Sequence, residues 1–479
     1  MALPLGGAVV LLLLAIPPKD REIPAATLTG AFTWNQDDYW ESLEAAYNAA
    51  VRNGCAVGDT LARSRMKALD RWAARLETTP ISAQARVLDS LTLTFFALGP
   101  HVAACPAQVQ EYILLSSRLR EGIKRQSRAW DISASDVRSR LYRSLYGMRA
   151  AVEEVMLHHP EGLPSLLMGR AEPSATPSAV VHGVEIHSGD ILVSRGGYPT
   201  SALIARGNDY PGNFSHIALV HVDSAGVAST IEAHIEIGVA IATAEQYLGD
   251  KKLRIMVLRP RADLPALLAD PMLPHKAASS ALKRARREKI PYDFAMDYQD
   301  PSKLFCSEVA SAAYAEAGLN LWMGISTIST PGLRRWLGSF GVENFETQEP
   351  SDLEYDPQMA VVAEWRDPGT LFADHIDNAV IDAMLEGAER GDRLDYPWYQ
   401  LPIVRIAKGY SWVLGRFGKT GPVPEGMSAT AALRNSAFTD RQRQLAAAVR
   451  MSADSAGRSL GYPPPYWRLL GLAREAVGR

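Results

Sequence analysis

The residues best suited to chemistry gather around Cys306, in the stretch 300–318. Val309, Ala310, Ala313, Tyr314 and Ala317 recur at i, i+1, i+4, i+5 and i+8, the spacing of one helical face. Ser302 as N-cap and Gly318 as stop bound that helix and put Cys306 in its first turns. There, unpaired N–H groups and the positive end of the helix dipole favour a thiolate, the nucleophilic form of cysteine. The competing reading is a buried thiol packed as a small hydrophobe. A nucleophile also needs a base within reach and a third group to orient that base. His216 suits the first role, because it follows the turn-prone run 211–215 and opens a strand. His221, an odd number of residues along, points to the other face. His182, His187, His234 and His275 are the region's other histidines, and a single histidine is more often structural than catalytic. Glu232 closes the apolar run 227–232 on the next expected strand, where its carboxylate can fix the tautomer of His216. Glu236 and His234 are the runner-up positions. Glu308 lies two residues past Cys306, on a different side of the helix, where it would bind substrate or brace the site.

The elements that must position these groups occupy the middle of the chain. From 32 to 159 the pattern is that of a helical bundle, with helices expected at 37–53, 59–77, 82–98, 106–130 and 133–158. Breaks are expected at Gly54/Gly58, Pro80, Gly99-Pro100 and 131–133, and N-caps at Asp59, Ser82 and Ser133. His158 and His159 end a helix and read as structural. Pro160, Pro164, Pro173 and Pro177 mark 160–179 as a linker. From 180 to 366 the periodicity turns to strands, at 187–194, 214–222, 227–233, 237–243 and 253–259. A helix at 274–289, the Cys306 helix, a short helix at 330–337 and a closing strand at 359–365 complete an α+β domain with a largely antiparallel sheet. The region 367–479 is helical again and rich in aromatics. Trp398, Tyr399, Tyr410, Trp412 and Trp467 suit either the core of a helical appendage, the commoner fate, or a membrane-surface contact or lipid groove.

The order Gly-Asp-Ile at 189, Ser-His-Ile-Ala-Leu-Val at 215, Ile-Glu-Ala at 231, Tyr-Asp-Phe at 292 and Phe-Cys-Ser-Glu-Val at 305 resembles the permuted branch of the NlpC/P60 papain-like hydrolases. More narrowly it is similar to the YiiX/YebB/YaeF group, in which the histidine strand precedes the cysteine helix. The likeness covers about 180–345. It implies a permuted papain-like fold, with Cys306 as nucleophile, His216 as general base and Glu232 as orienting residue. It further implies a thiolate–imidazolium pair, and an oxyanion or substrate site drawn from the Cys306 N–H, Tyr292, Ser307, Glu308 and Asp190. The implied reaction is hydrolysis of an amide or ester, on a cell-wall peptide or a lipid acyl chain, through an acyl-enzyme. The helical flanks depart from the compact members and leave the substrate open. Two other functions stay open: acyl transfer, as in the lecithin–retinol acyltransferase relatives, and a non-catalytic envelope binding module.

The whole chain narrows the setting. A hydrophobic share of 47% and a charged share of 22% allow a full core. A net charge of −3 argues against a general nucleic-acid partner. No Cys/His cluster has zinc-ligand spacing, and no metal or organic cofactor is indicated. Residues 1–18 carry an apolar run with the length of a signal-peptide core, although no lysine or arginine precedes it; a weak anchor is the other reading. Export to the periplasm or cell envelope is the expectation. In that setting Cys55 and Cys105 could pair, leaving Cys306 free, while two separate buried thiols remain the alternative.

Overall fold

The computed structural model describes residues 38–478 together with 14–18, 23 and 26; most of the expected signal segment lies outside the described residues. From residue 38 five helices run in sequence: α1 (Asp38–Asn53), α2 (Cys55–Thr78), α3 (Arg86–Ala103), α4 (Val109–Ser127) and α5 (Ser135–His158). Leu69, Phe95, Phe96, Tyr112, Leu145 and Val152 are among the residues that fill one shared core. The expected caps do not hold. Gly54, at φ 70°, makes the break before α2, and the Cys55–Cys105 disulfide ties the start of that helix to the end of the next. Asp59 therefore lies inside α2, where its carboxylate takes the Arg63 guanidinium one turn on at 2.9 Å. Ser82 and Ser133 fall short of their helices, which start after Ala85 and Ala134; Ser133 instead closes a turn on Asp131. Nor do Gly99 and Pro100 break α3. Pro100 falls in the final turn, and Gly99 leaves room for the Tyr47 phenol, which would come within 2.6 Å of an added Cβ.

The 160–179 stretch is not a linker. It supplies β1 (Leu166–Met168) and the start of a hairpin, β2 (Ser178–Val181) with β3 (Val184–His187). Next come β4 (Ile191–Gly196), α6 (Pro199–Arg206), β5 (His216–Val222), β6 (Ala228–His234), β7 (Gly238–Thr243), α7 (Ala244–Gly249) and β8 (Lys252–Pro260). After α8 (Pro265–Ala269) and α9 (Leu273–Arg287) the cysteine helix is α10 (Cys306–Glu316). A two-residue ladder joins β9 (Ser326–Thr327) to β10 (Glu346–Thr347), with α11 (Pro331–Phe340) between them. Then α12 (Asp352–Tyr355) leads to β11 (Met359–Trp365).

Seven of these strands form one antiparallel sheet in the order β1-β11-β8-β4-β5-β6-β7. Both faces are covered, which explains why β5 reads as a nearly continuous apolar run. Ile217 and Leu219 face α9 and α10, while Ala218, Val220 and Val222 face the hairpin and Tyr247.

The C-terminal region consists of α13 (Pro368–Arg390), α14 (Leu401–Arg416), α15 (Ala429–Leu460) and α16 (Tyr466–Val477). Asp367 caps α13 by accepting from the Gly369 and Thr370 N–H groups. The aromatics expected in a core divide: Trp467 is partly buried against the bundle, whereas Trp398, Tyr399, Tyr410 and Trp412 are 54–65% exposed. Among the described residues no helix is long and apolar enough to cross a membrane.

Bundle, sheet and α13 meet in a buried ionic junction. Arg149 on α5 reaches Glu354 (2.8 Å) and Glu364 on β11 (2.5 Å). Glu153 on α5 takes Arg254 of β8 (2.6 Å), Arg366 (3.3 Å) and His375 of α13 (3.0 Å). Arg254 also pairs with Asp374 of α13 (2.5 Å), and Arg195 of β4 lies 3.2 Å from the same carboxylate.

Candidate active site

The start of α10 is set by its neighbours in the chain. Leu304 N–H donates to the Pro291 carbonyl and Asp293 N–H to the Leu304 carbonyl, which bridges Tyr292 to Leu304 and places 291–293 beside the helix start. Ser302 does not cap the helix; its hydroxyl is bound to Asp300 at 2.6 Å, and Phe305 takes the cap position. Glu308 supplies the brace instead, accepting the Phe305 N–H at 2.8 Å. Gly318, at φ 91°, stops the helix as expected, in a backbone region that glycine enters without strain.

Cys306 is buried, and its thiol donates to the Ser215 carbonyl at 3.9 Å. The Ile217 N–H also points at the sulfur. These two backbone groups flank His216. The sulfur thus rests at the end of β5 that β6 leaves unpaired, since their pairing runs only from Leu219–Ile231 to Val222–Ala228.

The His216 ring turns to the sheet face opposite α10. Its Nε2 donates to Glu232 Oε2 at 2.6 Å, and the ring stacks on Tyr247 with centroids 6.3 Å apart. His234 shares the same carboxylate oxygen at 3.6 Å. Tyr247 is anchored by a 2.8 Å hydrogen bond to Ser194, which lies directly across from His216 on β4. The expected His216–Glu232 pair is therefore assembled, with His234 as a second imidazole. The thiol's hydrogen-bond acceptor is a carbonyl rather than the imidazole.

Electrostatics correct one expectation. Burial pushes the Cys306 thiol up to about 12, reinforced by Glu349; the Ile217 and Ser307 N–H groups oppose this without overcoming it. The helix start does not sustain a resting thiolate, because desolvation outweighs the dipole. His216 is lowered by burial, against the pull of Glu232. Burial would raise Glu232, but its bonds from His216 and His234 hold it well below the usual carboxylate range. His234 is raised by that same carboxylate. The resting pair is thus a neutral thiol and a neutral imidazole.

The other expected residues separate. Ser307 is fully buried, and its hydroxyl, without a partner in the resting state, sits where it can hold a thiolate. Tyr292 is half-buried within the electrostatic reach of Cys306, with its ring edge-on to Phe294. Asp190 does not belong to the site. It faces Val220, four residues along β5 from His216, and Arg259 grips its carboxylate at 2.8 Å through two nitrogens. There it lines a separate cavity of 380 Å³.

Two contributors were not among the residues singled out from the sequence. Glu349 is buried near Cys306, with its carboxyl pushed well up by burial and by Asp352. Tyr247 follows the Thr243–Gln246 capping box that starts α7, and that box was the available signal. Among the described residues the one cluster close enough to ligate a metal is Cys55, Asp59 and Cys105, and both of its sulfurs are committed to the disulfide.

Comparison with family models, with curated proteins and with solved structures gives no match for this chain.

Proposed function

We propose that the chain is a cysteine hydrolase of the permuted papain-like type, acting on an amide or ester. The observation that carries this reading is the meeting of Cys306 Sγ with the backbone on both sides of His216, whose ring is already oriented by Glu232. Because Glu232 accepts the Nε2 proton, Nδ1 is the basic nitrogen. Reaction requires Sγ to leave the Ser215 carbonyl and the His216 ring to come round the unpaired end of β5, so that Nδ1 meets the thiol. The imidazole removes the thiol proton as sulfur attacks the carbonyl carbon. N–H groups at the start of α10, with Tyr292 beside them, hold the oxyanion. The imidazolium protonates the leaving amine or alcohol, and water, deprotonated by the same ring, releases the acid. The Cys55–Cys105 disulfide supports an oxidising, exported setting. Acyl transfer is the second reading, favoured by the burial of Cys306, which keeps water from a thioester.

The test is turnover of acyl-ester and acyl-amide substrates with analysis of the product. Cys306→Ala should lower turnover at least about 10³-fold, and His216→Ala nearly as much. Turnover that survives Cys306→Ala sinks the proposal, and an acylated acceptor in place of free acid moves it to transfer. Since burial lowers His216, the basic form persists on acidification, and the acid limb of kcat/KM should lie below about pH 6.5. Alkylation of Cys306 should stay slow near pH 6.

A further inference from the structure

Helix α14 carries an apolar stripe that stays exposed among the described residues. Tyr399, Ile403, Ile406, Tyr410, Val413 and Phe417 are spaced four, three, four, three and four residues apart, so they lie on one helical face, each 44–75% exposed. Trp398 and Trp412 flank it, 61% and 54% exposed. The opposite side is the one that packs: Leu401 and Ser411 are buried, and Val404 and Ala407 rest on Val423, Met427 and Ala431.

Charge selects the occupant. Between 396 and 424 the chain carries Arg405, Lys408, Arg416 and Lys419 and no acidic residue. A second copy seated face to face would bring these cations together. An anionic bilayer surface complements them, and Trp and Tyr are the side chains that settle at its interface. Leu14 and Ile16 lie at the same place: Arg405 donates to their carbonyls at 2.8 and 2.9 Å.

We infer that α14 lies in the interface of an anionic membrane, with the Tyr399–Phe417 stripe in the acyl region and Arg405, Arg416 and Lys419 at the headgroups, while Lys408 turns inward to the Met427 carbonyl at 2.7 Å. The helix also adjoins the candidate site, since Ile235 and Phe294, neighbours of His234 and Tyr292 respectively, pack on the cluster beneath it. The docking stands whether or not Cys306 is catalytic. Its corollary, that the substrate is an acyl lipid drawn from that surface, rests on the proposed reaction.

The experiment reads the stripe itself. In full-length Cys306→Ala protein, Tyr410→Cys is labelled with an environment-sensitive fluorophore and mixed with vesicles of phosphatidylcholine, with or without phosphatidylglycerol. The expected result is a blue shift and a several-fold rise in emission with phosphatidylglycerol, reduced by salt. Ile403→Glu and Phe417→Glu should each weaken the partition by about tenfold or more, with circular dichroism unchanged. No emission change with either vesicle, or equal response in the glutamate variants, overturns the inference. So does a concentration-dependent rise without lipid, which would assign the stripe to a second copy. Because the probe protein lacks the thiol, failure of catalysis cannot mimic either outcome.

Discussion

The ionic junction and the Cys306 site both take ionisable side chains out of water, yet they settle them in opposite ways. At the junction, burial alone would raise Glu153 and Glu364, but the guanidiniums of Arg149, Arg254 and Arg366 hold both well below the usual carboxylate range. Beside Cys306 no cation answers burial: Glu308 is pushed up to about 8, Glu349 well above its ordinary value, and the thiol to about 12. Equal desolvation thus gives charged groups in one place and neutral acids in the other, and the difference is the countercharge. The junction holds three regions together. The second set has no such pairing, and a cluster of groups perturbed in this way marks a candidate site.

The largest expected effect would come from breaking the first arrangement. Arg149→Met leaves Glu354 and Glu364 without their partner and should cost about 3–5 kcal/mol in urea unfolding. A loss under about 1 kcal/mol would mean that the remaining arginines compensate and that the contrast is overstated. Glu232→Gln probes the one buried carboxylate of the site that does have cationic company. It should lower kcat by about 10²-fold with little change in Tm, because the imidazole loses its orientation while the packing stays. An equal loss in Tm and kcat would make Glu232 a structural residue. The smallest effect is a titration. Glu308 is raised in the folded state, so its contribution to stability is full below about pH 4.3, the unfolded value, and is lost as pH rises through about 8. Glu308→Gln should remove that slope, gaining about 3–4 kcal/mol on the wild type between pH ~5 and ~8. Parallel pH profiles for the two proteins would show that Glu308 is already ionised.

What could be read from the sequence was what neighbours along the chain decide. The periodicity of the Cys306 helix and its Gly318 stop are local patterns, and so are the strands around His216 and Glu232. Capping was misread at Asp59, Ser82, Ser133 and Ser302 because each residue has a competing local partner or lies a few positions short of its helix. Asp190 looked available for substrate because its partner, Arg259, is remote in sequence. Glu349 belongs to no periodic pattern, and only folding brings it near sulfur. Proline content marked 160–179 as a spacer but could not reveal that three of its residues complete a sheet. Composition likewise identified the aromatics of α14 without saying which way they face.

That last strand has a consequence for the order in which the molecule is made. Among the described residues β1 pairs with β11 alone, and Leu166 must wait for Trp365, about two hundred residues later, to emerge. The bundle can form from contacts made early in synthesis, whereas the sheet that presents His216 acquires its last two strands only once residues 359–365 have emerged. A chain released before that point keeps an unpaired edge on β8, a template for association with other chains.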